Sequence, residues 1–203
     1  MNVQFVDTVK KDIYNSGWNL RIRKEENVDN IELTYKKRYL VNEGNSATTE
    51  ESTNAALNKA KQDGFDSTIS YNAQVEVGCQ KHTLSISLDK KIPDSGSSKL
   101  ELPKVQKSRD VLIKKAPDMF KDWQGKNWGI QRLEKSIIYG SVLAKRSKGT
   151  FDQFTLSIEV WPIRKSKEDE TPAPIVEASF KAPDLIKALD GRAKLQAFLK
   201  DKD

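Results

Sequence analysis

The sequence predicts an α+β protein, built on an antiparallel β-barrel or tunnel of about eight strands with helices packed outside. The first observation is that segments with alternating apolar and polar residues outnumber helical segments. The second is that polar turns and loops separate them, as in closed or nearly closed antiparallel sheets. The chain has 203 residues, of which 36% are hydrophobic and 32% charged, enough for a core with a polar surface or interior lining. With no strong boundary signal, we expect a single domain over residues 1–203.

The first elements follow from alternation. Val3–Asp7 is short and extended, and the next residues predict a turn of helix that ends at Gly17. Trp18–Glu25 and Asn30–Tyr39 alternate regularly around a polar turn, which predicts two antiparallel strands.

A helix is predicted over Thr48–Gly64, where Thr48 or Thr49 can cap the start, acids occupy the first turn and Gly64 closes the end. A strand hairpin is then predicted, followed by a flexible loop that is rich in glycine and serine. These segments are Tyr71–Gly78 and His82–Lys90 for the hairpin and Pro93–Lys99 for the loop.

The rest of the chain predicts two more helices and further strands. Pro117 is expected to bend or end the first of these helices, and Pro183 to begin the last one. The predicted elements are a helix over Val105–Phe120, one long or two short strands over Gly129–Arg146, strands at Gln153–Pro162 and Ile175–Lys181, and a helix from Pro183 to about Lys200.

The bulk charge favours anionic partners. Lysine and arginine number 35 against 29 acidic residues, a net charge of +6, which does not choose among phosphate compounds, nucleic acid and membrane surfaces. No apolar run approaches the roughly 20 residues that span a bilayer, and no signal peptide is visible. A single cysteine, Cys79, and a single histidine, His82, exclude a disulfide framework and zinc sites built from several such residues.

Basic residues occupy one face of two neighbouring predicted strands. Arg21 and Arg23 alternate with apolar residues on the first strand, and Lys36 and Arg38 do so on the second. In one interpretation this face is solvated, as in many antiparallel sheets. In the other, the apolar faces lie under helices and the polar faces line a lumen, whose charges need pairing or a charged ligand. Periodicity does not separate the two.

Five motifs favour the lumen. They are, in this order, FVDT at Phe5–Thr8, LRIR at Leu20–Arg23, ELTYKKR at Glu32–Arg38, AKR at Ala144–Arg146 and LSIEVWPI at Leu156–Ile163. Together they resemble the CYTH superfamily, the triphosphate tunnel metalloenzymes. The resemblance implies an eight-stranded tunnel whose inward bases bind triphosphate, polyphosphate or a nucleotide and whose inward glutamates hold Mg²⁺ or Mn²⁺.

The resemblance also implies roles for particular residues. The arginines of LRIR and Lys36 would contact phosphate, Arg38 extends their face, and Glu159 would bind metal. Glu177 is assigned by strand parity alone. Glu76 lies in a strand that could partly substitute for the acidic strand of the family, although its spacing differs. The full set is Arg21, Arg23, Lys36, Arg38 and either Lys145 or Arg146 for phosphate, with Glu159, Glu76 and Glu177 for metal.

Two departures keep a second function open. The family's E-x-E-x-K strand has no room before Phe5, and LSIEVWPI has a single acid, with Trp161 at the next inward position. Residues 41–100 are expected to be an insertion or a divergent region. Because both departures remove carboxylates, the alternative to metal-dependent triphosphate hydrolysis is a non-catalytic module that reuses the tunnel to bind an anion.

Nucleic acid remains a rival partner. Single-strand binders combine basic grooves with aromatic residues, and Trp18, Tyr39 and Trp161 lie near the basic strands. We rank it below a small phosphate compound, because Tyr35 falls on the apolar face. The patterns do not determine the compartment or the oligomeric state.

Overall fold

The computed structural model is of the α+β class with antiparallel sheets, as predicted. It describes residues 1–43, 49–78, 81–94, 100–164, 166, 168, 171 and 173–201, apart from the side chains of residues 42 and 43. Within these ranges the chain forms one six-stranded and one three-stranded sheet, and no closed barrel is found there. The chain divides into two compact units: the large unit, Asn2–Ser141, and the small unit, Met1 with Val142–Asp203. The single-domain expectation stays a prediction.

The described residues form nine strands and six helices. The strands are β1 Asn2–Asp7, β2 Trp18–Lys24, β3 Asn30–Glu43, β4 Asn72–Val77, β5 Lys81–Pro93, β6 Ile137–Leu143, β7 Lys145–Phe151, β8 Phe154–Ile163 and β9 Ala173–Phe180. The helices are α1 Asp12–Asn15, α2 Glu50–Gln62, α3 Val105–Lys115, α4 Asp118–Lys121, α5 Trp128–Glu134 and α6 Leu185–Lys200.

The six-stranded sheet has the order β4-β5-β3-β2-β1-β6. The predicted hairpin is confirmed, since β4 and β5 pair antiparallel. β5 also pairs with β3 over nearly its whole length. Residues 81–93 of the region expected to be an insertion or divergent, residues 41–100, therefore supply an interior strand of this sheet. The relation of the region to the family remains a prediction.

The apolar face of this sheet packs against helices. Leu20, Leu33 and Ile86 on the central strands are buried together with Leu112 of α3 and Phe120 of α4. Aromatic side chains also pack in this core, where Trp18 makes edge contacts with the rings of both Phe120 and Trp123. Successive side chains of a strand point to opposite faces, so the alternate residues of the same strands form the face that lies away from these helices.

The start of α2 and the end of α3 lie where predicted, whereas α5 was not predicted. Thr49 caps α2 by accepting a hydrogen bond from the Ser52 amide, and α3 ends just before Pro117. The prediction that Gly129–Arg146 contains one long or two short strands is confirmed by β6, although the first residues of the range form α5. Trp128, Gly129 and Leu133 are the buried residues of that helix, a spacing of about one helical turn that places them against the core.

The small unit has the same layered plan. Its sheet has the order β7-β8-β9, and Phe154 of β8 stacks on Phe180 of β9 with ring centroids 4.5 Å apart. A Cβ on Gly191 of α6 would lie within 3 Å of both rings. The helix therefore needs glycine to approach the apolar face of this sheet closely.

Over the described ranges, no helix combines the length and apolar character that crossing a bilayer requires.

Within the predicted loop Pro93–Lys99, Pro93 ends β5 and Asp94 pairs with the buried amine of Lys24 at 2.7 Å. Residues 95–99 of that loop, and Cys79, lie outside the described residues.

Candidate anion-binding site

Arg21 and Arg23 share one carboxylate on the basic face of the six-stranded sheet, the face opposite the helices. Glu32 on β3 is the cross-strand partner of Arg23. Its Oε1 accepts from Nη2 of Arg23 at 2.7 Å and from Nη2 of Arg21 at 3.2 Å. A single carboxylate therefore draws two guanidinium groups together, at the cost of placing two like charges close to each other.

Each of the two arginines has a further N–H donor that these ion pairs do not use. In the described part of the chain, the Nε atoms of Arg21 and Arg23 are buried and have no hydrogen-bond acceptor. Burial, and then the nearby charge of Arg23, lowers the pKa of Arg21, although Glu32 opposes the shift. Buried donors without acceptors are costly, so this pair of side chains favours any ligand that supplies oxygens and negative charge.

Thr34 extends the arrangement to the next strand. Its hydroxyl accepts from Arg21 Nη2 at 3.2 Å and donates to Oδ1 of Asp89 on β5 at 2.8 Å. Thr34 is almost fully buried, and its partner in the β3–β5 register is Asp89. The hydroxyl therefore links the arginines to a second carboxylate.

Lys36 and Arg38 form a second basic pair further along β3. Glu76 on β4 accepts from Lys36 Nζ at 2.8 Å and from Arg38 Nε at 3.1 Å. Burial by itself raises the pKa of Glu76, but the Lys36 hydrogen bond and the Arg38 charge outweigh it and lower the pKa to about 2. Glu76, an expected metal ligand, is therefore engaged by two cations.

Lys37 shows that not every base in the motif serves this face. It lies on the helix-covered side, where its amine donates to the Ser16 carbonyl at 2.7 Å and lies 4.3 Å from the Trp123 ring centroid. Burial lowers its pKa to about 8, despite the opposing charge of Asp63. Its contacts are those of a core residue.

The small unit contains the remaining expected residues. Arg146 and Glu159 are cross-strand partners, and so are Glu159 and Glu177. Arg146 Nε donates to Glu159 Oε1 at 2.6 Å. Lys145 is paired with Val160, whose side chain points to the opposite face from Glu159, so Arg146 is the base that shares a face with the glutamates.

A divalent metal such as Mg²⁺ would need carboxylate oxygens as ligands. In the part of the chain that the structure describes, no group of three or more acidic, histidine or cysteine side chains could hold a metal ion. Mg²⁺ is commonly held by only one or two carboxylates together with substrate phosphates. Glu159 and Glu177, opposite each other on neighbouring strands, meet this smaller requirement with cross-strand Cβ atoms about 5 Å apart.

Sequence reasoning missed Glu32 and Asp89 as members of the site. Glu32 has the parity of Lys36 on β3, and Asp89 alternates with Leu88, so the period of two could have found both. It could not have shown that one carboxylate contacts both arginines, because that depends on the register of β2 against β3.

No model of a known protein family matches this chain, and a search of curated proteins finds no match either. The resemblance to the CYTH superfamily therefore rests on the order and spacing of the motifs.

Proposed function

We propose that this protein binds a phosphate-rich anion (triphosphate, polyphosphate or a nucleotide) through Arg21, Arg23, Lys36 and Arg38. The observation that carries the proposal is the pair of buried Nε donors on two arginines that share one carboxylate. Arginine presents its donors as a planar fork that matches phosphate oxygens. The CYTH-like tunnel that the motifs imply is part of the same proposal.

The resident carboxylates set the electrostatic balance of this face. Glu32 and Glu76 each bridge two cations, which keeps the bases aligned without a ligand. An arriving polyanion competes with these carboxylates or adds to the coordination at the arginine Nε atoms. Its linear run of charges matches two basic pairs on adjacent strands better than a monoanion would.

The first test is calorimetric titration with inorganic triphosphate in the absence of metal. Replacing both arginines (Arg21→Ala with Arg23→Ala) should weaken binding at least about tenfold, since each charge-assisted hydrogen bond contributes about 1.5–3 kcal/mol. Glu32→Gln should strengthen it, because a competing charge is removed.

The matched control is Lys114→Ala with Lys115→Ala, which removes the same net charge from exposed positions at the end of α3. It should leave the affinity nearly unchanged. Equal weakening in both double variants would mean that bulk charge, and not this site, binds the anion. No binding of any phosphate compound would reject the proposal.

Metal-dependent hydrolysis of triphosphate is the second candidate function. The observation in its favour is that Glu159 and Glu177 lie directly opposite each other, which brings two carboxylates to one point of the sheet. They would hold Mg²⁺ or Mn²⁺, which when bound polarises a phosphoryl oxygen. Arg146 donates to Glu159 and so orients that carboxylate.

Phosphate release from triphosphate with either metal tests this candidate. We expect Glu159→Gln to lower the rate at least about tenfold, as loss of a charged group at a reacting centre does. Asp190→Asn, which alters an exposed ion pair on α6, is the control and should retain full activity. If neither metal supports release, or Glu159→Gln stays fully active, the protein is a binding module without catalysis.

A further inference from the structure

A cavity of about 280 Å³ opens at the end of β1 and the start of β2 in the large unit. Its lining includes three aromatic rings, Phe5, Tyr14 and Tyr139, together with Asn19 and Lys11. None of these residues belongs to the anion-binding site described above. An apolar cavity with a few convergent polar groups is the usual form of a small-molecule site.

The cavity adjoins the basic face. Phe5 is the cross-strand partner of Arg21, and Asn19 is the partner of Lys36. Directly opposed residues share a face of the sheet, with Cβ atoms about 5 Å apart. A ligand whose phosphates contact Arg21 and Lys36 therefore has this cavity next to it.

The tyrosines of the cavity are held in place by the backbone around them. Asp7 accepts from the amides of Thr8, Ile13 and Tyr14 at 2.7–2.9 Å, which anchors α1 to the end of β1. The Tyr139 hydroxyl donates to the Thr8 carbonyl at 3.0 Å. Tyr14 nevertheless keeps 63% of its surface exposed, so its ring is available for stacking.

The charges at the cavity restrict the chemistry of its occupant. The lining carries one carboxylate, Asp7, and one amine, Lys11, so its two formal charges balance. The oxygens of Asp7 already accept three backbone donors. A neutral ring therefore needs no further counter-charge there, and it can stack on tyrosine and bond to the Asn19 amide.

We propose that this cavity is a subsite for the base of a nucleoside phosphate, so that the preferred ligand is a nucleotide and not inorganic triphosphate or polyphosphate. The inference rests on the proposed anion binding and adds a specificity site to it. Stacking of a base on an aromatic side chain is worth about a tenfold gain in affinity.

Calorimetric titration with ATP, UTP and inorganic triphosphate, all without metal, tests the subsite. The wild-type protein should bind at least one nucleotide about tenfold more tightly than inorganic triphosphate. Tyr14→Ala should remove that preference while leaving the affinity for inorganic triphosphate within about twofold, and Tyr14→Phe should retain it.

Two further variants keep the test decisive. Val9→Ala alters an exposed apolar side chain in the same segment, outside the cavity lining, and should leave the preference intact. Asn19→Ala removes an amide from the cavity wall and should reduce the nucleotide preference. This variant tests the subsite even where Tyr14→Ala does not fold.

The outcomes separate this inference from the function on which it rests. Triphosphate binding without a nucleotide preference overturns the subsite alone, as does an equal loss for all ligands in Tyr14→Ala. Absence of binding to all three ligands overturns both proposals.

Discussion

Glu76 is a single carboxylate that pairs with two cations of the basic face, Lys36 and Arg38. Burial raises its pKa, but Lys36 and Arg38 outweigh that effect and lower it from the ordinary 4.5 to about 2. A carboxylate with a lowered pKa in the folded state stabilises the protein fully above its unfolded pKa. That contribution is lost as the pH falls from about 4.5 to about 2.

We therefore expect the free energy of unfolding to fall over that pH range, by about 2 kcal/mol from this residue after allowing for solvent screening. Glu76→Gln should flatten this part of the profile and lower stability at pH 7. Urea unfolding at a series of pH values measures both effects. Glu101→Gln, at an exposed position, is the control, and a Glu76→Gln profile that parallels it would contradict the assignment.

Among the helices, α5 depends on a glycine at its point of contact with the core. A Cβ on Gly129 would lie 2.7 Å from Cε1 of Phe120 and closer still to the Phe120 carbonyl oxygen. The backbone oxygen cannot rotate away as a side chain can. Alanine at this position therefore has to move α5 away from α4.

Gly129→Ala should destabilise the protein by about 1–3 kcal/mol, because the overpacking outweighs the roughly 1 kcal/mol that alanine gains over glycine in a helix. Thermal or urea unfolding gives the difference. Gly149→Ala on β7 is the matched control, since a Cβ there meets nothing within 4 Å. A stabilised Gly129→Ala would show that α5 packs less closely than described.

At the scale of the whole molecule, the two compact units differ in the size of their cores. The described hydrophobic residues that are buried in the small unit are Ala144, Phe154 and Leu195. The large unit buries an extended aromatic cluster around Trp18 and Phe120. Local stability follows buried apolar contacts, so the units should open with different free energies.

Native-state hydrogen exchange should show amides of β3 and β5 exchanging at least about tenfold more slowly than those of β8. β8 is the fair comparison because it is the central strand of its own sheet. Equal protection in the two sheets would mean that the units open together, as a single domain of 203 residues would.

Alternation along the chain determined much of this protein in advance. The strands β1 to β5, the capped helix α2 and the break at Pro117 all follow from local signals, because side-chain parity, capping and proline geometry act within a few residues. The same parity placed Arg21, Arg23, Lys36 and Arg38 together on one face. The same parity places Glu32 on this face as well, although Glu32 was not predicted to be a site residue.

Only the tertiary structure decided which of these charges meet. That Glu32 bridges two arginines depends on the β2–β3 register, and that Glu76 engages Lys36 depends on β4 pairing with β5. Neither is encoded within a single strand. The helical state of α5 was likewise missed, since its seven residues are too few to show a clear helical period and it packs against Phe120. Pairing and packing join residues distant in the chain, so they leave no signal in local periodicity.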